Sequence, residues 1–213
     1  MTKAHQGFIE VVIFYFLVHL VIWGSVWFHP PVLIVAVVMV GICVFSNHRH
    51  NDSKEKIGLT RKDFTPALVK LMPIGIPIAL VLVVIGWGKG PQGGEWGFFF
   101  ILLGYPVWSF AQEYALLGFV ANRLEDGFPR RKWLVPWTNG LLFSMAHLPN
   151  PLLMPITFIS GVYFTWLFQR HRNLFAIAII HALIGILFNW ATIDMKGLMS
   201  VGPAYLTRTG GWF

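Results

Sequence analysis

The sequence predicts an all-α, polytopic bundle of transmembrane helices with about seven spans, within a range of six to eight. Three observations carry that expectation. The 213 residues are 56% hydrophobic and 12% charged, with a mean hydropathy of +0.65, outside the range of a soluble domain of this length. The apolar residues gather in runs of about 17–25, the length that crosses ~30 Å of hydrocarbon as a helix. Basic residues concentrate in alternate connections between those runs, on one side of the array.

In chain order the predicted spans are 8–28, 31–46, 66–88, 96–121, 133–149, 152–169 and 174–191. The first starts at Phe8, continues without a small-residue cleavage site and reads as an anchor rather than a signal peptide. The second and fifth are short and bounded by proline, so tilt or partial re-entry is open for both. Between spans two and three, Asn47 to Thr65 mixes charges of both signs and reads as a solvated cytoplasmic loop. Gly86 to Gly94 reads as an outer turn; it follows a helix rather than a strand, so it is not a phosphate-binding loop. The organisation expected is a peripheral helical pair with its loop (1–65), a helical core (66–191) and an outer-surface tail (192–213).

The net charge of +7 has a topological explanation. Lys3, Arg49 to Lys62, Arg123 to Lys132, and Arg170 with Arg172 lie on one side of the seven-span arrangement; Lys89, Lys196 and Arg208 lie on the other. By the positive-inside rule the N-terminus is cytoplasmic, with the basic face on anionic lipid and no nucleic-acid partner; the membrane expected on the whole reading is a bacterial inner membrane. Cys43, the single cysteine, lies in an apolar run and excludes a disulfide framework or cysteine metal cluster within one chain.

Glu113, His147 and His181 sit in separate apolar stretches. A charged side chain at a bilayer centre costs about 2.5–3.5 kcal/mol on insertion scales, so such groups usually face a partner or a wet cavity. Counting at 1.5 Å per residue puts Glu113 on the order of 12–15 Å below the inner surface. A carboxylate there can take a proton from water and return it to a leaving amine. The two imidazoles meet only if their depths match, and by the same count His147 stands about 8 Å too far outward. Asn189, eight residues after His181, faces broadly the same way and is expected to line the same cavity. His19 is expected to bond a neighbouring helix, and Gly118, Gly161 and Gly185 to permit close helix contacts.

These residues carry a resemblance. The chain resembles the CPBP-type intramembrane proteases, the family of CAAX-prenyl endopeptidases and Abi-like bacteriocin-processing or immunity proteins, over about residues 96–191. That family shows EExxxR, usually followed by Gly, then FxxxH, then HxxxN or HxxxD, on successive membrane helices. Here Gln112-Glu113-Tyr114-Ala115-Leu116-Leu117-Gly118 stands at the first motif, Phe143 to His147 match the second, and His181 opens the third. With Gly118 setting the register, Gln112 stands where the family has its first Glu, Leu117 where it has Arg and Gly185 where it has Asn or Asp.

The resemblance implies water attacking a peptide carbonyl, with glutamate as general base and the histidines orienting water or stabilising the oxyanion. Glu113, His147 and His181 are the catalytic candidates; Gln112, Phe143, Gly185 and Asn189 are candidate cavity residues. Gly185 could leave room for substrate beside His181. Two His and one Glu would also match a zinc site, but no His-Glu-x-x-His helix occurs, and metal-free glutamate chemistry without a cofactor is expected. The partner implied is a membrane-anchored peptide or protein, such as a C-terminal sorting or lipidated segment. Three readings of the departures compete: a protease using Glu113, a non-catalytic peptide-binding or immunity relative, and an engineered inactive form with Gln at 112.

Overall fold

The computed structural model describes residues 3–28, 32–89, 94–192, 195 and 197–209, and among these no strand occurs. The helices are α1 (Lys3–Phe28), α2 (Val32–Arg49), α3 (Lys54–Ile57), α4 (Phe64–Gly86), α5 (Gly94–Glu113), α6 (Asn122–Gly127), α7 (Leu134–Met145), α8 (Leu153–His171), α9 (Leu174–Ala191) and α10 (Pro203–Thr209). A π-helical segment, Tyr114–Ala121, joins α5 to α6 without a break.

Each predicted span contains a helix, but the helices differ in length and are not equally suited to cross a bilayer. Three are long and apolar enough among the described residues: Ala4–Ser25, Phe64–Gly86 and Leu174–Ala191, with Ile34–Arg49 as a shorter apolar helix. The predicted span 133–149 contains a helix of only 12 residues, about 18 Å long and too short to cross ~30 Å unaided. Proline explains part of the shortening, since the chain leaves helical geometry before Pro149 and Pro151. Pro73, Pro77 and Pro106 instead lie inside α4 and α5, where neighbouring helices can satisfy the backbone groups a proline frees.

Helix α9 lies between α4 and α5, α8 runs along α7, and the π segment touches α2, α5, α6, α7 and α8. Glycine permits the closest of these approaches. A Cβ at Gly161 would come within 2.9 Å of the Gly140 backbone, so only two facing glycines let α7 and α8 meet there.

The segment between α2 and α4 is folded rather than a solvated loop. Ser53 caps α3 by accepting from Lys56 N–H, Gly58 ends it with φ +83°, and Ile57 is buried against Gly118. Its start joins α1 and α2 around Arg123, which sequence position alone assigns to the cytoplasmic surface. Arg123 is fully buried and donates to Glu10 at 3.1 Å, Ser46 at 2.9 and 3.1 Å, Asn47 at 3.0 Å and Asp52 at 2.6 Å. Lys56 also reaches Asp52 at 2.9 Å. Burial disfavours the charge on Asp52, yet the hydrogen bonds and charges of Lys56 and Arg123 outweigh it and hold the carboxyl below the usual carboxylate range.

The tail folds back. Asn150 accepts from Leu152 and Leu153 N–H at the start of α8 and donates to the Leu198 and Ser200 carbonyls, at 2.6 and 3.0 Å. Gly202 N–H donates to the Leu148 carbonyl at 2.7 Å, and α10 packs on α1.

Candidate functional site

The π segment begins immediately after Glu113, and buried side chains from other elements bond to its backbone carbonyls. Asn139 donates to the Leu116 carbonyl at 2.9 Å, and Asn47 and Asn122 donate to the Gly118 carbonyl at 3.1 and 2.9 Å. All three asparagines are buried, where an unmatched carbonyl would cost about 1–3 kcal/mol. A π turn holds more residues than an α turn, so side chains before and after the segment are offset from α-helical spacing. Glu113, the last residue of α5, reaches α9.

Glu113 is fully buried, and its Oε1 lies 2.6 Å from Nδ1 of His181, whose side chain is 17% exposed. With the carboxylate as acceptor, the imidazole Nδ1–H donates and leaves Nε2 turned away from the pair. Glu113 Oε2 is buried and has no hydrogen-bond partner among the described residues. The acid therefore has one oxygen held and one available.

Phe143 stands between the two imidazoles, its ring 5.0 Å from that of His147 and 6.4 Å from that of His181. Phe164 flanks His181 at 6.0 Å. His147 lies just beyond the end of α7, and its Nδ1 is 2.8 Å from the Phe143 carbonyl. A carbonyl only accepts, so Nδ1 carries the proton and neutral His147 presents Nε2 as an acceptor. The side chain thus closes the last turn of α7 and remains near His181. His19, on α1, reaches the Met145 carbonyl at 3.1 Å, tying the first helix to the same turn.

Gln112 is half-buried beside the pair. Asn189 donates at 3.2 Å to the Gly185 carbonyl of its own helix, one turn back toward His181. The space at Gly185 is filled rather than open, because a Cβ there would fall inside the ring and hydroxyl of Tyr105. The α5 neighbours Ser109 and Tyr105 escape sequence reading, since a Ser or Tyr in an apolar run carries no signal of its own. Among the described residues no group of three His, Cys, Asp or Glu is arranged to hold a metal ion.

An all-helical, multi-pass membrane protein with a buried acid–imidazole pair between two of its helices is the class that this fold and site define. Within it, residues 94–193, from α5 through α9, match the family described as type II CAAX prenyl endopeptidase Rce1-like. This agrees with the CPBP-type resemblance of the motifs. No match is found among curated proteins or solved structures.

Proposed function

We propose that the protein is a glutamate-dependent intramembrane endopeptidase that hydrolyses a membrane-tethered peptide, such as a C-terminal sorting segment or the lipidated end of a CAAX-type chain. The observation that carries this is the asymmetry of Glu113: Oε1 bound to His181 and Oε2 buried without a partner. A carboxylate so fixed is suited to general-base catalysis. Glu113 Oε2 takes a proton from water as the water oxygen bonds to the scissile carbonyl carbon. The tetrahedral intermediate then collapses, the carbon–nitrogen bond breaks, and Glu113 returns the proton to the departing amine. His181 orients the carboxylate through Nδ1, and His147 Nε2 accepts the second water O–H. The chain is placed in a cytoplasmic membrane with its N-terminus inside and about seven crossings, consistent with the positive-inside distribution.

Purified protein in liposomes, given a quenched fluorogenic farnesylated CAAX peptide and a non-lipidated transmembrane peptide, tests the proposal. Hydrolysis of either probe, lost in Glu113→Ala, His147→Ala and His181→Ala variants that still fold, is expected. Full activity in all three rejects the chemistry. A sequestering protein would bind the probes without turnover and gain nothing from Gln112→Glu.

A further inference from the structure

Ser109 lies one turn before Glu113 on the same face of α5, wholly buried, and its hydroxyl makes no hydrogen bond among the described residues. Several other helical hydroxyls in this chain bond back to their own helix. Thr157 reaches the Leu153 carbonyl at 2.8 Å, Thr192 the Phe188 carbonyl at 2.7 Å and Ser25 the Ile22 carbonyl at 2.7 Å. Ser109 forgoes that ordinary arrangement. An unmatched buried hydroxyl is unfavourable, and its nearest unmatched counterpart along the helix is Glu113 Oε2. Helical side chains lean toward the N-terminus, so the Glu113 carboxylate extends toward the turn that carries Ser109. One turn further out, Tyr105 fills the space beside Gly185 and closes the α5–α9 seam. The unmatched donor and acceptor thus lie one turn apart on the α5 face that brings Glu113 to His181.

We propose that Ser109 is a further catalytic residue, whose hydroxyl holds, together with Glu113 Oε2, the water that attacks the substrate carbonyl. This rests on the hydrolytic reading above. A bridging water needs at least two polar partners, and these two groups supply a donor and an acceptor. The proton leaves water for Glu113 while the new carbon–oxygen bond forms. Ser109 keeps its own proton throughout and makes no covalent bond to substrate.

The test is the steady-state hydrolysis of the farnesylated fluorogenic peptide in proteoliposomes by wild type, Ser109→Ala, Ser109→Thr and Glu113→Gln. Ser109→Ala is expected to lower kcat roughly ten- to hundredfold, the worth of one hydrogen bond to a reacting group, with KM within about twofold and no loss of thermal stability. Ser109→Thr, which keeps a hydroxyl, is expected to recover most of kcat. Wild-type kcat in Ser109→Ala alongside an inactive Glu113→Gln overturns the Ser109 assignment alone. So does a loss that appears in KM or in melting temperature instead of kcat, or a burst of one product equivalent diagnostic of an acyl-serine. Absence of hydrolysis by wild type overturns the reading beneath it, and the assignment with it.

Discussion

Replacing Arg123 with methionine keeps the volume and apolar stem of the side chain while removing its charge and donors. Breaking a buried ion pair from one side costs about 3–5 kcal/mol, because the partner charges stay buried. Here the partners retain some compensation: Asp52 keeps Lys56 at 2.9 Å, and Glu10 keeps Ser46 at 2.6 Å and His50 at 3.2 Å. The lower end of the range, about 3 kcal/mol, is therefore expected. For a chain of this size that corresponds to a melting temperature about 6–12 °C lower. Arg123→Lys should fall between the two, since a single ammonium cannot reproduce contacts made by a guanidinium fork. Thermal unfolding in detergent, followed by intrinsic Trp fluorescence, measures both. The network also sets an acid limit. Asp52 has its carboxyl lowered in the fold, so its contribution is fully present above the ordinary carboxylate range and is lost as pH falls through the folded value, below about pH 4. Arg123→Met should shrink that acid-dependent loss. An unchanged melting temperature in Arg123→Met would refute the reasoning.

Gly185→Asn drives a side chain into Tyr105 and is expected to cost about 1–3 kcal/mol by overpacking. The double variant Gly185→Asn with Tyr105→Ala should recover part of that loss in a double-mutant cycle on melting temperature. Asn139→Leu removes the bonds to the Leu116 carbonyl and to Thr165, so a loss of about 1–3 kcal/mol is expected, with kcat lowered because the π segment follows Glu113 directly. Asn150→Ala removes the cap of α8 and both ties to the tail; about 1–2 kcal/mol should be lost, with faster proteolytic nicking between residues 195 and 202.

Much of the site is legible in sequence because acids are rare within apolar runs. Glu113 and His181 announce themselves by that cost, and the structure brings them together at 2.6 Å. What counting misses is what depends on neighbours. The offset calculated for His147 assumes that it rides inside a full span, whereas α7 stops at Met145 and the imidazole bonds back to Phe143 from beyond the helix end. The π segment has no composition of its own, so nothing in Tyr114–Ala121 announces it in the sequence. Arg123 looks like any basic residue at a membrane edge, because its partners Glu10, Ser46 and Asp52 belong to distant parts of the chain. Room at Gly185 is a reasonable expectation for glycine until Tyr105 of the adjacent helix is seen to occupy it.

The central claim is that the acid doing the chemistry is the one paired with His181. Single-turnover hydrolysis of the farnesylated peptide by Glu113→Gln and Gln112→Ala, side by side in liposomes, tests it most directly. A fall of about a hundredfold or more is predicted for Glu113→Gln, the usual worth of a general base, with Gln112→Ala within a few-fold of wild type. Equal rates for Glu113→Gln and wild type, or a collapse confined to Gln112→Ala, would contradict it.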